Sequence, residues 1–185
     1  LLNGSVSDGS QKWYQTIGTD GAPVLDNTRG TVYYATLLCG GEKNVGNTYA
    51  NTQEVSIEHD YNENGFCTKC GAYQPATLTT DKYDIDGVEG FDEVYEIGNA
   101  GQLYWFAALV NGDKRVIKEA GENASKNAVL TKDITVNSGV LKEDGSLSDN
   151  SSSFTSWTPI GYFNSYEDKC PYTGTLKKKK HKINL

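Results

Sequence analysis

Tyr95-Glu96-Ile97-Gly98-Asn99-Ala100-Gly101-Gln102-Leu103-Tyr104-Trp105-Phe106-Ala107 carries the one clear helix signal in the chain. Asn99 suits the N-cap, where its side-chain oxygen can accept from an otherwise unpaired backbone N–H. Leu103, Phe106, Ala107 and Val110 fall at i, i+3, i+4 and i+7, a single apolar stripe. Asn111-Gly112 supplies residues suited to the left-handed turn that ends a helix. The spacing predicts a helix from Ala100 to Val110. A helix with one apolar face must cover something, most simply the open end or flank of a β structure.

Downstream, Leu130, Ile134 and Val136 share a parity and mark the inward face of a strand. Residues 138–153 are mostly Gly, Ser, Asp and Asn and read as a long exposed loop. Ile183-Asn184-Leu185 repeats the apolar-polar-apolar pattern of Ile134-Thr135-Val136, so another strand is expected there. Upstream, Tyr83 to Gly87 and Asp92 to Ile97 read as two strands around an Asp-Gly turn. Asp84, Asp86, Glu89, Asp92 and Glu93 invite a calcium reading. Gly87 comes too early for the spacing of an EF-hand loop, which favours an acidic hairpin turn. Trp13 to Gly18, Pro23 to Leu25 and Thr31 to Ala35 are short apolar runs bounded by Gly, Asp or Asn, and are predicted as short strands.

The 185 residues suffice for one sizeable domain or a few small modules. With 37% hydrophobic residues, 20 glycines and 12 tyrosines, the composition is that of turn-rich β structure. A net charge of -7 argues against general nucleic-acid binding, because phosphates would be repelled. No stretch approaches the ~20 apolar residues that span a bilayer. The chain opens Leu1-Leu2-Asn3 and contains no Met, and is read as an internal piece of a longer polypeptide, so the missing signal peptide carries no information on location.

The candidate site is Cys39, His59, Cys67 and Cys70. Two thiolates in a Cys-x-x-Cys spacing can share one ion while the backbone turns beneath it, and Gly71 permits that turn. Cys39 and His59 complete the four donors of a closed, structural zinc. The stretch between Cys39 and His59 is polar, so a metal or a disulfide is expected to hold it. A disulfide from Cys39 to Cys67 or Cys70 is the alternative; it leaves one thiol over and gives His59 no role. Gly71 and Pro75 disfavour the helix that a thioredoxin-like Cys-x-x-Cys precedes. Cys170 stands apart and its pairing is left open. His181 sits beside Lys177 to Lys180 with nothing in the text to orient it as a base. There is no nucleophile elbow, P-loop or dinucleotide fingerprint.

Four blocks in order, Tyr95 to Ala107, Ala128 to Ile134, Trp157-Thr158-Pro159-Ile160-Gly161 and Tyr172-Thr173-Gly174-Thr175, resemble the opening of a GLUG-type repeat region in large surface proteins of gut bacteria. The resemblance covers about residues 94–185. It implies that the helix precedes and caps a right-handed parallel β-helix. Where those repeats continue with Phe-Asp-Gly-x-Gly-His-x-Ile, this chain has Leu176 and four lysines, and only His181 and Ile183 match. Leu1 to Gly4, Trp13 to Gln15 and Pro23 to Asp26 are similar to the tail of such a region, and His59 to Gly71 to the small Cys-containing insert between two of them. The implied organisation is the end of a preceding β repeat region at 1–36, a zinc-knuckle-like insert at 37–75, a β-hairpin plus capping helix at 76–112, and the first β-helix rungs at 113–185.

The expected function is that of a non-catalytic structural or adhesive segment of a secreted or wall-attached bacterial surface protein. Its expected partners are neighbouring repeats or copies of the same protein, and host or wall glycans. Two alternatives belong to other classes: a carbohydrate-active β-helix enzyme, and a glycan-binding module using Trp13, Tyr14, Trp105 or Trp157. Exposed coplanar rings would favour glycan binding, and buried rings a scaffold.

Overall fold

The computed structural model describes residues 13–87, 90, 92–118, 121, 123–149, 152, 154–163 and 169–184. The expected repeat tail at Leu1 to Gly4, and Glu89 of the acidic loop, lie outside the described residues. The fold is mainly β, with one α-helix among the described residues. The chain packs as two compact units, one of Leu1–Asp60 with Thr68–Cys70, the other of Tyr61–Cys67 with Gly71–Leu185.

The first unit is a three-stranded sheet. Strand β1 (Tyr33–Cys39) forms an antiparallel hairpin with β2 (Lys43–Ala50), and β3 (Glu54–Ile57) lies parallel to β1 on its other edge. The hairpin turns on Gly40 and Gly41, whose φ values of 63° and 76° suit glycine. The register shifts between Leu37 and Leu38, where Leu37 faces Gly46 and Leu38 faces Asn44, so that Val45 of β2 is the extra residue of a bulge; Ala35 and Cys39, four apart on β1, share its buried face. The polar stretch between Cys39 and His59 is thus folded by main-chain pairing to β1, and not by its apolar content. Asn51, in the short link from β2 to β3, ties in the preceding segment. Its amide donates to the carbonyls of Gln15 (2.7 Å) and Thr31 (3.0 Å), and its oxygen accepts from the Ile17 N–H (2.9 Å). Of the three expected early strands only Tyr33 to Ala35 is one; Tyr14, Val24 and Thr31 make single bridges.

The second unit is built on parallel stacking. Strands β4 (Thr77–Thr79), β5 (Val94–Ile97), β6 (Asn127–Leu130) and β10 (Leu176–Lys177) form one sheet in the order β10-β6-β5-β4. β5, β6 and β10 run parallel, and β4 is antiparallel to β5. Strand β7 (Ile134–Thr135) pairs in parallel with β11 (Ile183–Asn184), and β8 (Tyr162–Phe163) is antiparallel to β9 (Lys169–Cys170). The repeated apolar-polar pattern is realised as register, since Ile183 pairs with Ile134 and Asn184 with Thr135. Residues 130–133 link Val129 to Ile134; in the next layer residues 178–182 link Lys177 to Ile183, one residue more. Lys179, with φ 52°, absorbs that residue, and among the described residues it alone of the non-glycines takes a left-handed φ. The segment Tyr83 to Gly87 is a loop instead of a strand. Its backbone is held by Asp84, which accepts from the Gly87 N–H (2.6 Å), and by Asp92, which accepts from the Ile85 N–H (2.5 Å), so side chains took the bonds that a ladder would have used.

Helix α1 (Ala100–Asn111) connects the parallel strands β5 and β6. Asn99 caps it through the Gln102 N–H (2.9 Å), and the Gln102 side chain accepts from the Gly98 N–H (2.8 Å). Gly112 ends it at φ 66°. Leu103, Phe106 and Val110 are fully buried with Ile97 and Leu130. The single-stripe expectation is too narrow, because Tyr104, Ala108 and Leu109 are buried as well. Phe66 and Tyr73 lie against Tyr104 with centroids 5.8 and 5.2 Å away, and Trp157 meets its edge at 5.2 Å. The helix is therefore covered on a second side by aromatic rings from loops that periodicity does not reveal. A Cβ at Gly101 would strike the Gly65 carbonyl, so this approach requires glycine. Asn99→Ala should cost about 1 kcal/mol in chemical denaturation, the usual worth of an N-cap.

Candidate metal centre

Strand register assembles the first half of the site. Cys39 is the last residue of β1 and pairs with Ile57, the last of β3. The Gly40 N–H donates to the Ile57 carbonyl (2.8 Å), so the strand pairing holds to this end. His59 follows two residues on, and its Nδ1 lies 3.1 Å from Cys39 Sγ. Local turn chemistry presents the other two donors. The Gly71 N–H bonds the Cys67 carbonyl (2.8 Å), the Cys67 N–H the Ala72 carbonyl (2.8 Å), and the Thr68 N–H the Asp60 carbonyl (2.8 Å). Thr68 Oγ1 also donates to Asp60 Oδ2 (3.0 Å). Gly71 takes φ 73°, the turn conformation expected of it.

Cys70 Sγ lies 3.4 Å from His59 Nδ1, and one ligand atom from each of Cys39, His59, Cys67 and Cys70 falls within 4.8 Å of the others. Tetrahedral zinc, with Zn–S about 2.3 Å and Zn–N about 2.0 Å, has ligand–ligand edges of about 3.5 to 3.8 Å. The four ligand atoms lie close enough together to hold one metal ion. Cys39 and Cys67 are 1% and 4% exposed, and His59 and Cys70 are half-buried. No disulfide is formed among the four cysteines. Three thiolates and one imidazole form a soft donor set that suits zinc, and a full set leaves no position for a reactive water. Cys170 is buried apart from the site, with its Sγ 3.4 Å from the Val110 carbonyl.

Asp84, Asp86 and Asp92 also come together, but as turn-builders; oxygens of Asp84 and Asp92 already receive backbone N–H groups. His181 is oriented after all: its Nδ1 lies 3.2 Å from Asp133 Oδ1, and that same oxygen accepts from the Lys182 N–H (3.0 Å). The signal was the register of two stacked turns, invisible until the strands are aligned. Glu96 is held below the usual carboxylate range, first by its bond from Lys82 and then by that from the Tyr83 hydroxyl (2.7 Å). It is a fixed anion rather than a proton donor. Burial pushes the Tyr172 phenol up to about 12, and its hydroxyl bonds the Lys126 carbonyl (3.0 Å).

Of the four aromatics considered for glycan contact, none is exposed. Trp105 packs on Tyr95 (5.7 Å between centroids) and Trp157 on Tyr104. The exposed pair is one the sequence reading missed: Tyr34 and Tyr49, cross-strand partners on β1 and β2, 60% and 52% exposed. Their rings are 5.4 Å apart and tilted by 53°. An open groove of about 740 Å³ beside the helix is lined by Tyr73, Tyr104, Asn111, Asp113, Arg115 and Tyr162. Asn111 is spent on the Pro159 carbonyl and Gly161 N–H, and Arg115 on Asp113.

No known protein-family model, curated protein or solved structure matches the chain.

Proposed function

We propose that the chain is a non-catalytic structural or adhesive segment of a bacterial surface protein of the GLUG-repeat kind, with a zinc centre as a staple and a parallel β-helix beginning beyond the helix. The observation that carries this reading is the same-direction stacking of β5, β6 and β10, continued by β7 on β11. Successive layers repeat an in-phase ladder with apolar residues inward, the bonding unit of a solenoid that grows by one layer at a time. The Cys3His set supports a staple because it is closed. No helix among the described residues is long and apolar enough to cross a membrane. The reading places the chain outside the cell, joined to neighbouring repeats or further copies.

An antibody raised against the chain should label intact cells of the source organism. Labelling that appears only after lysis would remove the surface assignment. Steady release of reducing ends from a polysaccharide panel, lost on no contaminant control, would remove the non-enzyme assignment. Glycan binding is the second reading; the Tyr34–Tyr49 pair meets its criterion of exposure, while its 53° tilt departs from the coplanar arrangement. A glycan array in which wild-type binding disappears in Tyr34→Ala/Tyr49→Ala would establish it.

A further inference from the structure

We infer that Gly40, which ligates nothing, is the residue that positions the imidazole of the metal centre and thereby sets its affinity. The inference rests on the metal-centre reading. Gly40 opens the hairpin turn directly after Cys39, at φ 63°. A Cβ built there would run into the His59 ring, meeting Nε2 first, then Cε1 and Cδ2. The ring therefore lies directly on the Gly40 backbone, with Nε2 against the glycine and Nδ1 turned to the sulfurs of Cys39 and Cys70 at 3.1 and 3.4 Å. Gly40 is itself fixed, since its N–H is bonded to the Ile57 carbonyl (2.8 Å) two residues before His59. The missing side chain makes the slot that fixes which imidazole nitrogen faces the metal. Any side chain at position 40 must push the ring, and Nδ1 with it, out of the cage.

The neighbouring glycine separates this effect from backbone strain. Gly41 has φ 76°, so a side chain there is strained in the same way, yet its Cβ would meet only Ser56 Oγ at 3.5 Å, an ordinary contact. Gly40→Ala and Gly41→Ala thus share the left-handed cost and differ in the imidazole contact. A third variant tests the mechanism. A histidine that ligates through Nδ1 reaches little farther than a cysteine, and a thiol at position 59 would not touch position 40. Gly40→Ala/His59→Cys should therefore recover what Gly40→Ala loses.

The test is titration of the reduced full chain with cobalt(II), then displacement by zinc(II), reading the visible d–d bands and the sulfur-to-cobalt charge transfer. Wild type should bind one equivalent with tetrahedral intensity. Gly40→Ala should bind at least tenfold more weakly, the scale seen when a ligand's supporting residue is removed. Gly41→Ala should stay within a few-fold of wild type, and Gly40→Ala/His59→Cys should return to within tenfold, with the spectrum of a four-sulfur site. Wild-type affinity in Gly40→Ala, an equal loss in Gly41→Ala, or no recovery in the double variant would each overturn the positioning role while leaving the metal centre standing. A wild-type chain that binds neither ion would remove the metal centre and this inference together.

Discussion

Stripping zinc from the chain with a strong chelator should release the turn at residues 59–71 and leave the β1–β2 hairpin in place. The metal centre reading sets the size of the effect. A structural zinc carries on the order of 10 kcal/mol of apparent binding free energy at neutral pH, and where no preformed site exists in the unfolded state that energy appears as folding. Here it would be divided unequally. β1 and β2 are joined by a ladder that runs the length of both strands and needs no metal. The Cys67–Cys70 turn has a handful of main-chain bonds and Thr68–Asp60. Without the ion, contacts such as those of His59 Nδ1 with Cys39 Sγ (3.1 Å) and Cys70 Sγ (3.4 Å) take the place of metal bonds and hold the turn less strongly. Amide hydrogen exchange should therefore accelerate by at least a hundredfold across residues 59–71 on chelation, and recover on adding zinc. Cys39→Ser and Cys70→Ser should each abolish one-equivalent zinc retention through gel filtration. Unchanged exchange in a chain shown to be metal-free would mean that the backbone turn holds itself, and a purified chain with no zinc and a sulfur–sulfur bond at Cys39 would favour the disulfide.

The pairing of Cys67 with Cys70 was legible in the text because Cys-x-x-Cys-Gly is a local geometry, and one turn brings both thiols to one side. How Cys39 reaches them was not legible. That depends on β3 pairing parallel to β1 with Ile57 opposite Cys39, a register reached through the short link at Asn51 between β2 and β3. Gly40 was equally hidden: its importance lies in what touches it, and His59 is far from it in sequence. The helix was readable from its caps and spacing, since both are short-range. Its second buried side was not, because Phe66, Tyr73 and Trp157 come from loops. The acidic segment from Tyr83 to Gly87 failed for a different reason. Its alternation looked like a strand, but Asp84 and Asp92 bond its N–H groups locally and remove them from any ladder. In each miss, a contact distant in sequence or a side chain competing for the backbone overrode a local pattern.

Phe106→Ala should destabilise the second unit by about 3–5 kcal/mol, the range for emptying a fully buried phenylalanine site. The ring is 0% exposed and lies among Ile97, Leu103, Val110, Leu130 and Ile134. It also meets two other aromatic rings, Tyr95 at 5.7 Å and Tyr172 at 6.3 Å, the latter edge-on at 88°. Those contacts join one helix turn to β5 and to the segment leading into β10, so the cavity would open where helix and stacked strands share one core. Collapse around it is limited. Gly101 holds the helix against the Gly65 carbonyl, and the Asn99 cap and Gly112 terminus fix its two ends. Neither end can slide inward without breaking these bonds, so most of the cavity should persist. Phe106→Leu should cost well under half as much, because a leucine keeps most of the apolar volume. Leu78→Ala on β4, where the side chain is 44% exposed, should change stability by less than about 0.5 kcal/mol. At about 2–4 °C per kcal/mol for a chain of this size, Phe106→Ala should lower the melting midpoint by roughly 6–20 °C. Calorimetry on the chain should show that shift. A cost below about 1 kcal/mol would mean that the helix can be withdrawn without disturbing the stacked strands, and the capping role assigned to it would fall.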